Sequence, residues 1–569
     1  MAQRGFAATA VRIESAFSLY YRVSVKSNPS TQENALQQFI AKYRDQITGV
    51  LSGFDRLVFR GSLRRLNYGW WCEPLGAVVA KGMEEYLWQN QILFQDYARH
   101  VKRVSERLKD ESLKAFRKQG LPVIFLRSSS VDKDELARNV ATERKISSGL
   151  VCAISSLEPS PTFEHRGTHI IRRERPCHVL YHYQIDPEVG WMYGRIQTWF
   201  PFNIQMGLNG REWLAQRMKK EGLPYRQQGN CFVWIEDYER AQEWMNEQLQ
   251  VNWAEVLNRF GQQLNPIREA IFARYPTDYY WTCYQSEWAT DIVFREAEFL
   301  KRLMPMLVRQ SVLSFSSTEV MRYFGKKVNQ SGQIPGNFGG TLQADLRKYQ
   351  EGERVKYRLN GNSAKFYDKA YNEVGSVLRG AETTINTVKD FRVYRPKEGG
   401  PEEDLQWRPM RRGIADLHRR AEVSQKTNER LLDALARLDD SRRVEELTAS
   451  IQRPTTWGGR RVRALRPLGD DKDLLAAVNH GEFLINGLRN RDLQQLLYHR
   501  PAESRAEQRR RSAAVSRKLR LLRAHGLIRK VPGTHRYHIT EAGRSILVAA
   551  LTAAKATVCE LNQLQQKAA

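Results

Sequence analysis

The sequence has no pair of cysteines at CxxC spacing. Its six thiols, Cys72, Cys152, Cys177, Cys231, Cys283 and Cys559, are scattered over 569 residues. A disulfide framework or a zinc ribbon needs clustered cysteines, so the pattern predicts a reducing compartment with buried or idle thiols. Long apolar runs are missing too. No window reaches the roughly 18 uncharged apolar residues of a membrane span, and mean hydropathy is −0.58. This excludes an integral helical membrane protein, and no membrane partner is expected. The first 30 residues lack an apolar h-region and a cleavage site, so they predict a bland extension rather than a secretory signal. No Walker loop, GxGxxG or GxSxG stands in a suitable context. Acid is also scarce. Sixty-three Asp and Glu face 90 Lys and Arg, which leaves a formal charge of +27 and points to a polyanionic partner.

What is present suits packed cores. Apolar residues make up 41%, and at roughly 150 residues per domain the length predicts three to four units. Residues 34–118 read as mostly helical, interrupted by the short apolar run Leu57–Phe59 within Gly53–Gly61, which reads as a strand with turns at both ends. Leu121–Leu126 and Gly149–Leu157 read as strands around a helix at Asp132–Ile146, an α/β pattern. Cys177–Ile185 and Trp191–Met206 read as extended stretches joined by a hairpin loop at Asp186–Gly190, with a helix over 207–222 ending at Gly222. Residues 240–330 read as largely helical, with the aromatic cluster Tyr275–Trp288 at a domain junction. From 353 to 395 the pattern is an antiparallel meander, with a hairpin turn at Asn360-Gly361 and a second near Asn372–Gly375. Lys397–Asp404 reads as a solvated linker, followed by a helix over about 411–450.

The C-terminal stretch is the most informative. Residues 501–550 hold twelve Lys or Arg and three Glu, a net of +9. Asn490–Tyr498 reads as a short helix, and Ser512–His525 as a second carrying Val515, Leu519 and Leu522 on one face. Gly526 ends it, and Leu527–Val531 and Arg536–Ile539 flank a turn at Pro532-Gly533 before a last helix at Thr540–Ala549. Helix, turn, helix and hairpin in this order, with Lys518-Leu-Arg-Leu-Leu-Arg-Ala-His-Gly-Leu-Ile-Arg-Lys530 running from helix into hairpin, resembles the winged-helix family over about 480–550. The resemblance implies that the second helix enters a major groove and the wing touches the backbone. It places Arg511, Ser516, Arg517, Lys518, Arg520 and Arg523 on the helix, and His535 and Arg536 at the wing, near nucleic acid. A solvated basic face on a protein-docking unit is the alternative.

Other basic and aromatic stretches add to this. Residues 453–466 carry five Arg and no acid, and Arg460, Arg461 and Arg463 in this Gly-containing arm suit phosphate tracking, a plain solubilising linker being the alternative. Residues 408–420 add Arg408, Arg411, Arg412, Arg419 and Arg420. In 191–206 one strand face would show Trp191, Tyr193, Arg195, Gln197 and Trp199. Such a face is either a base-stacking platform or a surface covered by protein.

Candidate chemistry is sparser. Cys177, His178 and His182 lack a fourth ligand, so an ordinary histidine pair is expected. Asp55, Asp186, Glu287 and Asp291 could gather magnesium ions for a two-metal nuclease. In the meander, Tyr367-Asp-Lys369 and Arg379-Gly-Ala-Glu382 resemble the paired strands of rolling-circle replication initiators of plasmid and filamentous-phage type. That resemblance implies Tyr367 as nucleophile, Lys369 and Arg379 on phosphate, and Glu382 with Asp368 around a magnesium ion. The Gly-Ala spacer departs from the family and is expected to slip Glu382 to the opposite sheet face.

The expected fold is therefore a multidomain α+β chain. Its parts are an extension at 1–33, an N-terminal α/β region at 34–240, a helical and antiparallel β region at 241–400, an Arg-rich connector at 401–470, and a winged helix at 471–569. The expected function is that of a nucleic-acid-binding protein of a bacterial mobile or plasmid element, cytoplasmic and nucleoid-associated, nicking or joining DNA. The alternative is a non-catalytic binder, either a DNA-binding regulator or the protein part of a ribonucleoprotein holding structured RNA.

Overall fold

The computed structural model describes residues 35–554, apart from 128–130, 316, 327–341, 350–351, 373–374, 398–399, 402–403, 437–443, 480–487, 499 and 532–533. The 1–33 extension, Cys559 and Pro532-Gly533 lie outside the described residues, as do parts of the turn near Asn372 and of the Lys397–Asp404 linker.

The centre of the molecule is one 13-stranded sheet that takes strands from both sides of residue 240. In chain order its members are β1 (Ile47–Leu63), β2 (Trp70–Cys72), β3 (Ala77–Val79), β4 (Val123–Leu126), β5 (Gly149–Arg166), β6 (His169–Asp186), β7 (Gly190–Gln197), β8 (Ile204–Asn209), β11 (Tyr279–Phe294), β12 (Leu342–Tyr349), β13 (Gly352–Leu359), β14 (Asn362–Asn372) and β15 (Gly375–Ile385). Between β8 and β11 a separate hairpin of β9 (Tyr225–Gln228) and β10 (Cys231–Ile235) packs nearby. The strand order is β12-β13-β14-β15-β11-β1-β8-β7-β6-β5-β4, with the β3-β2 ribbon on the same edge of β6 as β7. Every pairing is antiparallel except β4 with β5. The α/β pattern expected for the N-terminal region is thus realised as an antiparallel sheet with one parallel pair.

The short strand read at Gly53–Gly61 extends at both ends into one central strand, and a stretch read as helical forms the other. β1 runs 17 residues and pairs with β11 over nearly its whole length. Its glycines accept partners where a Cβ would collide: Met245 sits against Gly53, and Trp281 against Gly61. β11 carries the Tyr279–Trp288 aromatics. Tyr279, Trp281 and Trp288 pack into the main core, with Phe54 edge-on to Trp288 at 4.8 Å and Tyr279 beside Trp281 at 5.7 Å. The expected single strand over 191–206 is broken by a turn containing the cis Phe200-Pro201 peptide, giving β7 and β8.

Helices cover both faces. These include α1 (Tyr97–Lys118), α2 (Lys133–Glu143), α3 (Gly210–Glu221), α4 (Trp253–Leu264) and α5 (Leu417–Ala436), of which α1, α4 and α5 pack on the main core and α2 and α3 on separate apolar clusters. In α3 the Asn209 side chain caps the first turn and Gly222 closes the helix in the left-handed region. Asn428 of α5 donates to the carbonyls of Trp288 and Ala381, pinning the helix across β11 and β15. The Asn360-Gly361 turn forms as expected, with Asn360 at φ 53°.

β16 (Arg392–Arg395) and β17 (Gln406–Pro409) make a small ribbon, and β18 (Thr455–Trp457) and β19 (Arg460–Val462) another, turned at Gly458-Gly459. The C-terminal unit has its own core of Ile451, Leu475, Val515, Leu519, Leu522 and Leu547 among others. Its elements are β20 (Leu488–Arg489), α6 (Asn490–Leu497), α7 (Arg505–Ala524), β21 (Ile528–Lys530), β22 (Arg536–Ile539) and α8 (Glu541–Ala553). The three strands pair in the order β20-β22-β21. No helix among the described residues is long and apolar enough to cross a membrane.

Candidate functional site

The polar face of the central sheet carries a buried cluster of opposite charges. Two β-bulges build it. On β1, Phe54 pairs with Trp288 and Arg56 with Glu287, so Asp55 is the extra residue. On β15, Ala381 pairs with Thr290 and Arg379 with Asp291, so Gly380 is extra. A Cβ on Gly380 would meet Leu432 at 2.8 Å and Ile292 at 2.9 Å, which favours glycine there. The second bulge reverses one expectation. Plain strand alternation puts Glu382 opposite Arg379; the bulge returns both to one face, with Arg379 Nη1 donating to Glu382 Oε2 at 3.0 Å.

Arg379 is fully buried and holds three carboxylates. It makes a fork to Asp291 at 2.6 and 2.9 Å, and Nη1 lies 2.9 Å from Asp55 Oδ2. Arg211, also fully buried at the start of α3, reaches Asp291 at 3.0 Å and Asp55 at 3.6 Å. Lys365 Nζ lies 2.5 Å from Glu382 Oε1, and Tyr367 Oη donates to Glu382 Oε2 at 3.1 Å. Asn230 in the β9–β10 turn donates to Asp55 and accepts from Asn209. Glu287 stands beside Asp55 and Glu382, so four carboxylates face three side-chain cations.

The electrostatics follow from burial. Burial alone would raise the Glu382 carboxyl, but Lys365 and then Arg379 outweigh it and hold it below its ordinary value. Glu287, which accepts a hydrogen bond from Gln285, is pushed up by burial and by the Glu382 charge. That is the direction that relieves the excess negative charge of the cluster. An acid with a raised folded pKa contributes stability that is present below the ordinary carboxyl value of about 4.3 and lost as pH rises through the raised value. Glu287→Gln, neutral throughout, is therefore expected to be more stable than the parent near pH 8 and to lose that advantage near pH 4. Urea midpoints across pH measure this; a variant less stable at pH 8 would show that the charge itself is required.

Of the expected catalytic set, Tyr367, Arg379 and Glu382 converge. Tyr367 is only 7% exposed, and burial followed by the Glu382 charge raises its phenol well above the ordinary value. A buried phenol committed to a carboxylate is poorly placed to attack a phosphodiester. Asp368, next on the strand, is buried on the opposite face and does not join Glu382. Lys369 lies in β14, with its side chain outside the described residues. Asp55, Glu287 and Asp291 of the two-metal set do meet. Asp186 does not; it accepts from the backbone of Glu188 and Val189 in the β6–β7 turn.

Asp55, Glu287 and Glu382 each offer an oxygen within 4.8 Å of the others, a spacing that could hold one cation. Nothing in the set selects magnesium, which takes near-ideal octahedral oxygen ligation, and Arg379 and Lys365 already bridge these oxygens. Sequence reasoning missed Arg211, Lys365 and Asn230, and no local signal marks them.

The other expected contacts divide sharply. Arg195 is drawn inward by Glu158 at 3.0 Å and Ser160 at 3.2 Å, beneath α2, where Trp191 donates to Asp134. Trp199 packs against the main core. The stacking-platform reading of this face gives way to the covered one, because Glu158 and α2 occupy it. His182 is buried and shares a hydrogen bond with Ser112; burial lowers it to about 4, so it is a neutral core histidine. Arg463 is forked onto Asp471 at 2.8 Å. Arg411 and Arg419 serve Asp416, Arg408 pairs with Asp404, and Arg420 is buried.

The C-terminal unit keeps its cations outward. In α7, Val515, Leu519 and Leu522 face the core, while Arg509, Ser516, Arg517 and Arg520 line the exposed side. Positions i, i+4, i+7, i+8 and i+11 share one helix face, and Arg509 to Arg520 spans about 16 Å. Among the described residues no carboxylate forms an ion pair with Arg509, Arg510, Arg517 or Arg520. Arg511 is turned aside, bonded to Glu507 and to the Arg500 carbonyl. Ser516 accepts from Asn490, a bond that ties α7 to α6. Lys518 is half-buried. Arg520 and Arg523 lie over the Trp457 ring at 5.6 and 4.9 Å, which sets the β18–β19 hairpin, with exposed Arg460 and Arg461, beside the helix. His535 is exposed and Arg536 half-buried at the start of β22.

No protein-family model matches the chain, and no curated protein or solved structure matches it.

Proposed function

We propose that this chain is a nucleic-acid-binding protein that presents the exposed face of α7 to the groove of a DNA duplex. The observation that carries this reading is the row of arginines, Arg509, Arg517 and Arg520, without acidic partners on the side of α7 opposite its core contacts. The order α6, α7, β21, β22, with strands paired β20-β22-β21, supports reading the unit as a winged helix. The hairpin carrying Arg460 and Arg461 extends the cationic surface. DNA is favoured because the roughly 12 Å major groove of B-form DNA admits a helix, whereas the deep, narrow major groove of A-form RNA does not. Binding of the full chain to labelled DNA duplex and to an RNA hairpin of matched length tests this. Tighter duplex binding is expected, and stronger RNA hairpin binding, with duplex left free, would overturn it.

A strand-transfer reading draws on the meeting of Tyr367, Arg379, Glu382 and Asp55. The burial of Tyr367 and the cations among the carboxylates favour a structural role for the cluster. A magnesium-dependent covalent adduct on single-stranded DNA, absent from Tyr367→Phe, would restore the catalytic reading.

A further inference from the structure

Away from the charge cluster, part of the central sheet carries arginines stacked on tyrosines. Arg60 lies 3.3 Å from the ring centroid of Tyr284, Arg64 lies 3.1 Å from that of Tyr280, and Arg65 lies 3.9 Å from that of Tyr275. All three arginines are exposed residues, and so is Tyr284, although burial against its surroundings lowers the Arg60 guanidinium from its ordinary value. Among the described residues none of these arginines forms an ion pair; Arg65 donates to the Pro276 carbonyl. Arg412 is exposed where its backbone joins β11 at Cys283. The chain leaving Arg65 runs directly into the exposed rings of Tyr68, Trp70 and Trp71, the last 64% exposed.

A guanidinium stacked on a ring keeps its N–H edges for an anion and is fixed in place before the anion arrives. Tyr280 and Tyr284 stand four strand residues apart, about 13 Å, so their arginine partners are spaced for an extended polyanion rather than one small ion. Flat exposed aromatics beside a cationic track suit unpaired bases, because every base has a stacking face.

We infer that this part of the surface holds a single-stranded segment of nucleic acid, with phosphates on Arg60 and Arg64 and a base against Trp71, the more exposed of the two rings that alternate across β2. The inference rests on the reading of the chain as a nucleic-acid binder but uses a surface separate from α7.

The test uses the full chain and fluorescent oligothymidylate, read by anisotropy over a potassium chloride series, with a DNA duplex as second probe. Arg60→Gln with Arg64→Gln is expected to weaken oligothymidylate binding about tenfold or more and to flatten the log–log salt slope by about 1.4, at roughly 0.7 per phosphate contact. Trp71→Ala is expected to weaken it about tenfold with the slope unchanged. Duplex binding and the thermal midpoint should stay at parental values in both variants. Oligothymidylate affinity and slope equal to the parent in both variants would overturn the inference. So would displacement by polyglutamate as efficient as by unlabelled oligothymidylate, which would assign the face to an acidic peptide. A parent that binds duplex but not oligothymidylate overturns this inference alone. One that binds oligothymidylate but not duplex, with the variant losses above, overturns the α7 reading and supports this one.

Discussion

Arg379→Met is expected to destabilise the protein by about 3–5 kcal/mol, the largest loss from any single substitution considered. Its guanidinium is fully buried and satisfies Asp291, Asp55 and Glu382 together. Removing it leaves these three buried carboxylates with only Arg211 and Lys365 to offset them. The cost is that of uncompensated buried charge, which exceeds the net value of the ion pairs themselves. Arg379→Met with Asp291→Leu should therefore recover part of the loss, a coupling that a double-mutant cycle in urea isolates. A single variant within about 1 kcal/mol of the parent would contradict the structural role assigned to the cluster.

The second large effect falls on binding. Arg509→Gln, Arg517→Gln and Arg520→Gln combined should reduce duplex affinity about a hundredfold at moderate salt, taking roughly 1 kcal/mol for each phosphate contact. All three side chains are exposed, so the unfolding midpoint should stay at the parental value. The same triple substitution should leave oligothymidylate binding at the central sheet intact. Fluorescence anisotropy on matched probes reads both. Loss of oligothymidylate and duplex binding together would show one shared surface rather than two.

How far the sequence disclosed this arrangement depends on the range of the interactions involved. The C-terminal unit was legible because its signals are local: an apolar stripe at Val515, Leu519 and Leu522, a terminating Gly526, and two short strands. The meander announced itself through Asn360-Gly361, whose positive φ at Asn360 the turn requires. Only the Gly53–Gly61 part of β1 did, because glycines and scattered charges break the period-2 pattern over its length and its pairing partner lies more than 200 residues away. The site was half visible. Asp55, Glu287, Asp291, Arg379, Tyr367 and Glu382 were all singled out, but as two unrelated sets. What joins the sets is a pair of bulges, at Asp55 and Gly380, and a bulge inverts the parity on which strand reasoning depends. Arg211 was invisible because only tertiary packing carries the start of α3 to Asp291 and Asp55.

The Arg195 and Trp199 face stays open between two readings in the sequence for a related reason. Alternation identifies which residues share a face but not what covers it. Here Glu158 on β5 and the helix α2 do so. Arg463, Arg411 and Arg419 were read as phosphate contacts from composition alone. Each has a buried aspartate, Asp471 or Asp416, that claims it. An arginine count therefore overstates a nucleic-acid surface, and the informative residues are those the fold leaves without an acidic neighbour.

The most direct test of the account is the salt dependence of duplex binding by the intact chain and by the α7 triple variant. If α7 lies against phosphates, log affinity falls linearly with log potassium chloride concentration, and the triple variant's slope is shallower by about 2.7, or roughly 0.9 per lost contact. Identical slopes for parent and variant, or a parental affinity indifferent to salt, would contradict it.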